Sequence, residues 1–286
     1  MKILVTGGKG MLGRTLVEEF SPDNEVVVFD LPEHDILDEK AFVRFASEGK
    51  FNVIVHTAAM TKVDDCQVKR DLAFALNGTG ARNAALAAKA CGARLFAIST
   101  DYVFSGRLEE GSAWGECDEP YPETVYGASK LAGEREVLSV WPQKSVILRI
   151  AWLYGALGPS FVHTMSALGV AQGGALKVVC DQRGNPTSTK VVASVIRFLL
   201  SKEDVSGIVH ATCEGECSWY EFAKEIFSLQ GLARKIVPCL TEEFPRPAPR
   251  PKNSCLKKDV LGLLGYRTPN WRVALSEFIR SEFATA

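Results

Sequence analysis

KILVT, residues 2–6, is a short apolar run rich in branched side chains, and glycines follow it. TGGKGMLG (6–13) follows at once and opens an amphipathic stretch, MLGRTLVEEF. Few architectures accept a buried strand, a tight glycine turn and a helix in that order. The same kind of run recurs at EVVVFD (25–30), NVIVHTAA (52–59), ARLFAIST (93–100) and SVILRIAW (145–152). Helical patterns lie between them at 39–48, roughly 69–91 and roughly 123–140. Strands that are apolar throughout need cover on both faces, and the intervening helices supply it. This predicts an α/β fold, a doubly wound parallel sheet of the Rossmann type. Its ligands belong in the crevice at the carboxyl ends of the strands.

The second half reads differently, with short pieces interrupted by Pro and Gly: VVCDQRGNPTSTK, GIVHATC and FPRPAPRPKNS. GIVHATC (207–213) is expected to rejoin the first sheet. In SWYEFAKEIFSLQ, Ser218 is a good N-cap, and Glu221 three residues on completes a capping box. The proline-rich 245–251 segment suits neither a helix nor a central strand and is expected to be an ordered loop, a wall of a pocket. The expected division is a dinucleotide-binding domain at 1–155, rejoined by a strand near 207–213, and a mainly substrate-binding region at 156–286.

A formal net charge of −1 gives no electrostatic footprint for nucleic acid or an anionic membrane. No apolar run reaches the ~18 residues of a membrane span. MKILVTGG enters the first strand without a basic leader, so a cytoplasmic setting with reduced thiols is expected. Cys213 and Cys217 form a CxxxC, but no second pair or nearby histidine completes a zinc set.

Gly7, Gly10 and Gly13 stand in G-x-x-G-x-x-G spacing between strand and helix. A glycine pattern alone is weak, but this context favours a cofactor turn over a plain one. Gly7 would permit the turn, Gly10 the approach of a pyrophosphate and Gly13 close packing of helix on strand. The helix N-terminus would then face the phosphates. Asp30 ends the second run, where a carboxylate can accept bonds from ribose hydroxyls. That favours NAD, although Lys9 and Arg14 leave NADP open. Asp35 and Ile36 follow in a turn, where capping of the next helix competes with a ligand contact.

VYGASKLAGE (125–134) places Tyr126 and Lys130 four residues apart, on one face of a helix. A solvated helix face is the ordinary meaning of that spacing. The alternative is a proton donor and the cation that tunes it. Lowering a phenol by three units takes about 4 kcal/mol, which a neighbouring ammonium and an oxidised nicotinamide could largely supply. AISTDYVFSG (97–106) places Ser99 and Thr100 at a strand's carboxyl end, on the crevice side.

TGGKGMLG, STDYVFSG and YGASKLAGE together resemble the extended short-chain dehydrogenase/reductases. HTAAMTKVDDCQ (56–67), ALNGTGARNAA (75–85), LRIAWLYG (148–155), DQRGNPTS (181–188), SWYEFA (218–223) and RPAPRPKNSCL (246–256) narrow the resemblance to the dTDP-4-dehydrorhamnose reductases. The resemblance implies a catalytic trio of Thr100, Tyr126 and Lys130. Tyr126 would protonate the C4 oxygen of a 4-keto-6-deoxy nucleotide sugar, converting dTDP-4-dehydro-L-rhamnose to dTDP-L-rhamnose with NADP or NAD as the hydride carrier. It maps cofactor contacts to Gly7, Gly10, Met11, Leu12, Asp30, Asp35, Ile36, Ala58, Ala59, Met60, Tyr126 and Lys130. It maps substrate contacts to Thr100, Asp101, Tyr126, Trp152 and Arg250, with Asn77 as a buttress. Met60, Ile150 and Ala151 depart from the family's usual wording beside the pocket. Some members bind magnesium at a dimer interface, but its ligands cannot be placed here, so no metal is expected. A dTDP-sugar substrate is the expected partner, a homodimer the assembly the resemblance allows. Dehydratases follow the threonine with Asp-Glu, and Tyr102 stands in place of that glutamate. Epimerases keep the trio. A further alternative is a non-catalytic nucleotide binder resembling the regulatory subunit of methionine adenosyltransferase.

Overall fold

The computed structural model describes residues 1–171 and 173–283. Strands β1 (Lys2–Thr6), β2 (Glu25–Phe29), β3 (Val53–His56), β4 (Arg94–Thr100) and β5 (Ser145–Ile150) form a parallel sheet with a sixth strand, Gly207–His210. The order across it is Gly207–His210, β5, β4, β3, β1, β2. This is the expected α/β doubly wound sheet. The winding reverses between β1 and β3, so the crevice lies just beyond Thr6 and His56.

Side chains alternate across each strand, and both faces are covered. On one face Ile3 and Val5 pack in a core with Leu12, Leu16 and Phe20 of helix α1 (Met11–Phe20). On the other, Leu4 shares a core with Phe42 of α2 (Glu39–Gly49). Two short helices, α3 (Val63–Val68) and α4 (Arg70–Phe74), lead into a π-helical turn, Ala75–Thr79, and then α5 (Gly80–Cys91). Helix α5 is rich in alanine, which favours helix and lets the backbone approach the sheet closely. Gly92, at φ 71°, ends it in the left-handed conformation. Helix α6 (Val125–Val140) starts on Thr124, whose hydroxyl accepts the Gly127 N–H at 3.0 Å.

The departures from the sequence reading are local. The run at 52–59 stops as a strand at His56, because the chain turns into the crevice. The helix expected at 69–91 carries the π turn, a form common at functional sites. The run at 145–152 breaks after Ile150, and Trp152 sits at φ 46°. Helices Phe161–Val170, Trp219–Gln230 and Trp271–Glu282 gather around a third core containing Tyr154, Phe222 and Trp271. Both bonds of the Ser218–Glu221 capping box are present, at 3.1 and 2.7 Å. Residues 245–251 form no helix or strand. Among the described residues no helix is long and apolar enough to cross a membrane.

Candidate active site

A cleft of about 680 Å³ opens along the carboxyl edge of the sheet. Of the residues singled out in the sequence, Gly7, Gly10, Met11, Leu12, Gly13, Asp30, Asp35, Ile36, Ala58, Ala59, Thr100, Asp101, Tyr126, Lys130 and Trp152 line it. Met60 and Arg250 do not. Met60 packs with Cys66, Ala73 and Val125, and its backbone is held at both ends by the Asn77 amide, at 2.8 and 3.0 Å. Arg250 pairs bidentately with Asp64 at 2.8 and 3.0 Å, so its guanidinium already has an anionic partner. The proline-rich loop therefore braces α3 and does not form a wall of the cleft.

At one end the glycine turn leaves backbone bare. Gly7 sits at φ +65°, and a Cβ there would meet the Ala58 nitrogen at 2.7 Å. A Cβ on Gly13 would lie 2.2 Å from the Gly7 carbonyl oxygen. The turn therefore fits a pyrophosphate against the α1 N-terminus, where free N–H groups point outward. Both carboxylate oxygens of Asp30 are anchored, by Lys9 N–H at 2.9 Å and Leu31 N–H at 2.8 Å. Their remaining lone pairs suit ribose hydroxyls. The Lys9 ammonium is engaged by Glu33 at 2.7 Å and the Leu31 carbonyl at 2.5 Å. Asp35 accepts the Leu37 N–H at 2.9 Å, while the cap of α2 is Asp38.

At the other end stand Thr100, Tyr126 and Lys130. Thr100 ends β4, and its hydroxyl donates to Asp101 at 2.9 Å and accepts the Tyr102 N–H at 3.2 Å. Burial pushes the Tyr126 phenol up from its ordinary value, the nearby Thr100 hydroxyl opposing and the Asp101 charge adding to the rise. Desolvation leads this balance. Burial likewise pushes Lys130 down to about 8, against the pull of Glu134. Asp101, 2% exposed, is pushed up to about 6 by burial, with the Ser254 and Thr100 hydroxyls opposing.

Supports behind the trio are buried and polar. The Asn77 amide donates to Ser129 Oγ at 2.9 Å, and Ser129 donates to the Tyr126 carbonyl at 2.8 Å. Glu134 accepts from Arg149 Nε at 2.9 Å, from Arg149 Nη2 at 2.7 Å and from Ser99 at 2.5 Å.

Among the cleft residues that escaped the sequence reading are three aromatic side chains. Trp219 stacks on Trp152 with centroids 3.5 Å apart and planes 3° off parallel. Tyr102 meets the Tyr126 ring edge to face at 5.5 Å, and His34 stacks on Phe29 at 4.6 Å. The signal for Trp219 lay inside SWYEFA, read for its capping box and for the resemblance but not for a site residue.

The arrangement can seat a dinucleotide on the glycine turn and a second ligand between the trio and the tryptophans. The family described as RmlD substrate binding domain matches residues 1–283. A dTDP-4-dehydrorhamnose reductase of Streptomyces griseus is 40% identical, over 96% of this chain and 91% of its own. The spore coat polysaccharide biosynthesis protein SpsK of Bacillus subtilis is 37% identical, over 98% and 97%. A crystal structure of a dTDP-4-dehydrorhamnose reductase from Clostridium acetobutylicum superposes with a TM-score of 0.94 at 44% identity, covering 98% of this chain and 99% of that one. The Bacillus anthracis enzyme of that name, in complex with NADP, gives 0.94 at 39%, with the same coverage. This chain belongs to the RmlD substrate binding domain family, alongside the dTDP-4-dehydrorhamnose reductases.

Proposed function

We propose that this chain binds NADPH or NADH along the cleft and reduces the C4 ketone of dTDP-4-dehydro-L-rhamnose to give dTDP-L-rhamnose. The observation that carries the reading is that Thr100, Tyr126 and Lys130 share one cleft with the Gly7–Gly13 turn. The bound dinucleotide supplies the hydride. Gly7, Gly10 and the α1 N-terminus hold its pyrophosphate, and Asp30 holds the adenosine ribose. Lys130 holds the nicotinamide ribose hydroxyls.

Reduction needs an acid that is protonated at neutral pH, and burial keeps the Tyr126 phenol so. As the substrate oxygen gains charge its basicity rises far above that of a ketone, and Tyr126 donates its proton. Thr100 positions that oxygen. Lys130, one helical turn from Tyr126, stabilises the phenolate once the proton has left. Trp152 and Trp219 offer an apolar plate to the face of the sugar that carries the C6 methyl. Tyr102 has no carboxyl with which to remove a proton for dehydration. A cytoplasmic setting belongs to the same proposal, supported by cysteines that are all free thiols.

The test is NADPH oxidation with dTDP-4-dehydro-L-rhamnose and identification of the product. Formation of dTDP-L-rhamnose supports the reading. Tight NADPH binding with no turnover of any 4-keto nucleotide sugar would instead make the chain a binding protein.

A further inference from the structure

Behind the Tyr126–Lys130 face lies a second, much smaller space, separate from the cleft. It measures about 10 Å³ and is bordered by His56, Asn77, Ser99, Lys130 and Glu134 among others. That is close to the volume one water needs. His56, the last residue of β3, is 2% exposed. Its Nδ1 is engaged with the Thr6 hydroxyl at 2.8 Å, while its Nε2 is buried with no hydrogen-bond partner among the described residues. A buried ring nitrogen without a partner is costly unless water serves it.

The lysine has the complementary problem. Lys130 is 6% exposed, and no hydrogen bond contributes to its protonation balance. Glu134, on the same face of α6, is occupied by Arg149 and Ser99. From α3, Cys66 is the titratable group facing the lysine, and its thiol is pushed up by burial, so it is uncharged at neutral pH. From β3 the facing group is His56, which burial and the lysine's own charge push down to about 3, so it is a neutral acceptor. Lys130, whose ammonium has three donors, and His56, whose neutral ring has an unpartnered Nε2, therefore line one water-sized space.

We propose that this space holds one water, which accepts from the Lys130 ammonium and donates to His56 Nε2, making His56 a positioning residue that keeps the active-site lysine charged and aimed at the cleft. The water completes the lysine's bonding on the side away from the cofactor, leaving its other donors for the ribose. Nδ1–H of His56 then donates to Thr6, and the ring stays in one tautomer.

Two substitutions separate this from a merely structural histidine. In His56→Asn the amide reaches the Thr6 position, as Nδ1 does, but nothing reaches the cavity. In His56→Gln the side-chain amide reaches the place of Nε2. Because the pH arm rests on the reductase reading, a second arm does not use turnover. A high-resolution crystal structure of the full chain is expected to show a water within hydrogen-bond distance of both Lys130 Nζ and His56 Nε2, absent or displaced in His56→Asn. In the pH arm, loss of an acceptor disfavours the charged lysine, so the alkaline limb of kcat in His56→Asn is expected to move down by about one pH unit. His56→Gln is expected to keep the parent limb. An empty cavity in the parent crystal overturns the proposal, and so does an alkaline limb that His56→Asn leaves in place. If the parent chain reduces no keto-sugar, the reductase reading fails while the crystallographic arm still decides this one.

Discussion

Asp101 is a buried carboxyl whose ionised form the fold disfavours, so its removal should stabilise the protein in a pH-dependent way. Its pKa rises from 3.8 to about 6 on folding, chiefly by desolvation. A raised folded pKa means that the native state holds the proton more tightly than the unfolded chain. The stabilisation this gives is full below the unfolded pKa and is lost as pH rises through about 6. The full span, about two units, is worth about 3 kcal/mol, and about half of it disappears between roughly pH 5 and pH 8. Asp101→Asn keeps an acceptor for the Thr100 hydroxyl and has no charge to bury. Urea unfolding of parent and variant at those two pH values isolates the group, because all others cancel in the difference. The expected result is a stability gain from Asp101→Asn about 1.4 kcal/mol larger at the higher pH. A gain that does not change with pH, or one larger in acid, would refute the reasoning.

Other expectations follow from the same geometry. Glu134→Gln leaves the 3% exposed Arg149 guanidinium without its counter-charge, and urea unfolding is expected to show a loss of about 3–5 kcal/mol. A loss under about 1 kcal/mol would mean that the buried pair is not a support. Gly13→Ala drives a methyl against the Gly7 carbonyl, at a cost of about 1–3 kcal/mol in unfolding experiments together with weaker NADPH binding. Normal cofactor affinity in that variant would put the pyrophosphate elsewhere. Trp219→Ala removes half of the stacked plate, and steady-state kinetics are expected to show KM for the sugar nucleotide raised about 5–10-fold with NADPH affinity unchanged.

What the sequence disclosed was local. Continuous apolar runs announced strands buried on both faces, and Tyr126 and Lys130 share a face because four residues nearly close a helical turn. The glycine turn was legible because only strand and helix flank it. Contacts made by distant segments were not. Arg250 finds Asp64 across 186 residues, a pairing that the substrate contact implied by the resemblance did not foresee. Trp219 reaches Trp152 only after the third core assembles, and spacing carries no trace of that. The π turn at Asn77 has no periodic signal either, since one extra residue per turn shifts a helix without changing its composition. The burial of the Tyr126 phenol was not legible for a related reason: a motif shows a neighbouring charge but does not show how much water folding removes.

The central claim is that the Tyr126 hydroxyl delivers a proton to the substrate's ketone oxygen in the cleft that holds the dinucleotide. Its most direct test is kcat for Tyr126→Phe with NADPH and dTDP-4-dehydro-L-rhamnose, measured beside the Kd for NADPH. The ring is kept and only the hydroxyl is lost, so kcat is expected to fall about 10²–10⁴-fold with Kd nearly unchanged. A kcat within a few-fold of the parent would contradict the claim and move the acid to another group.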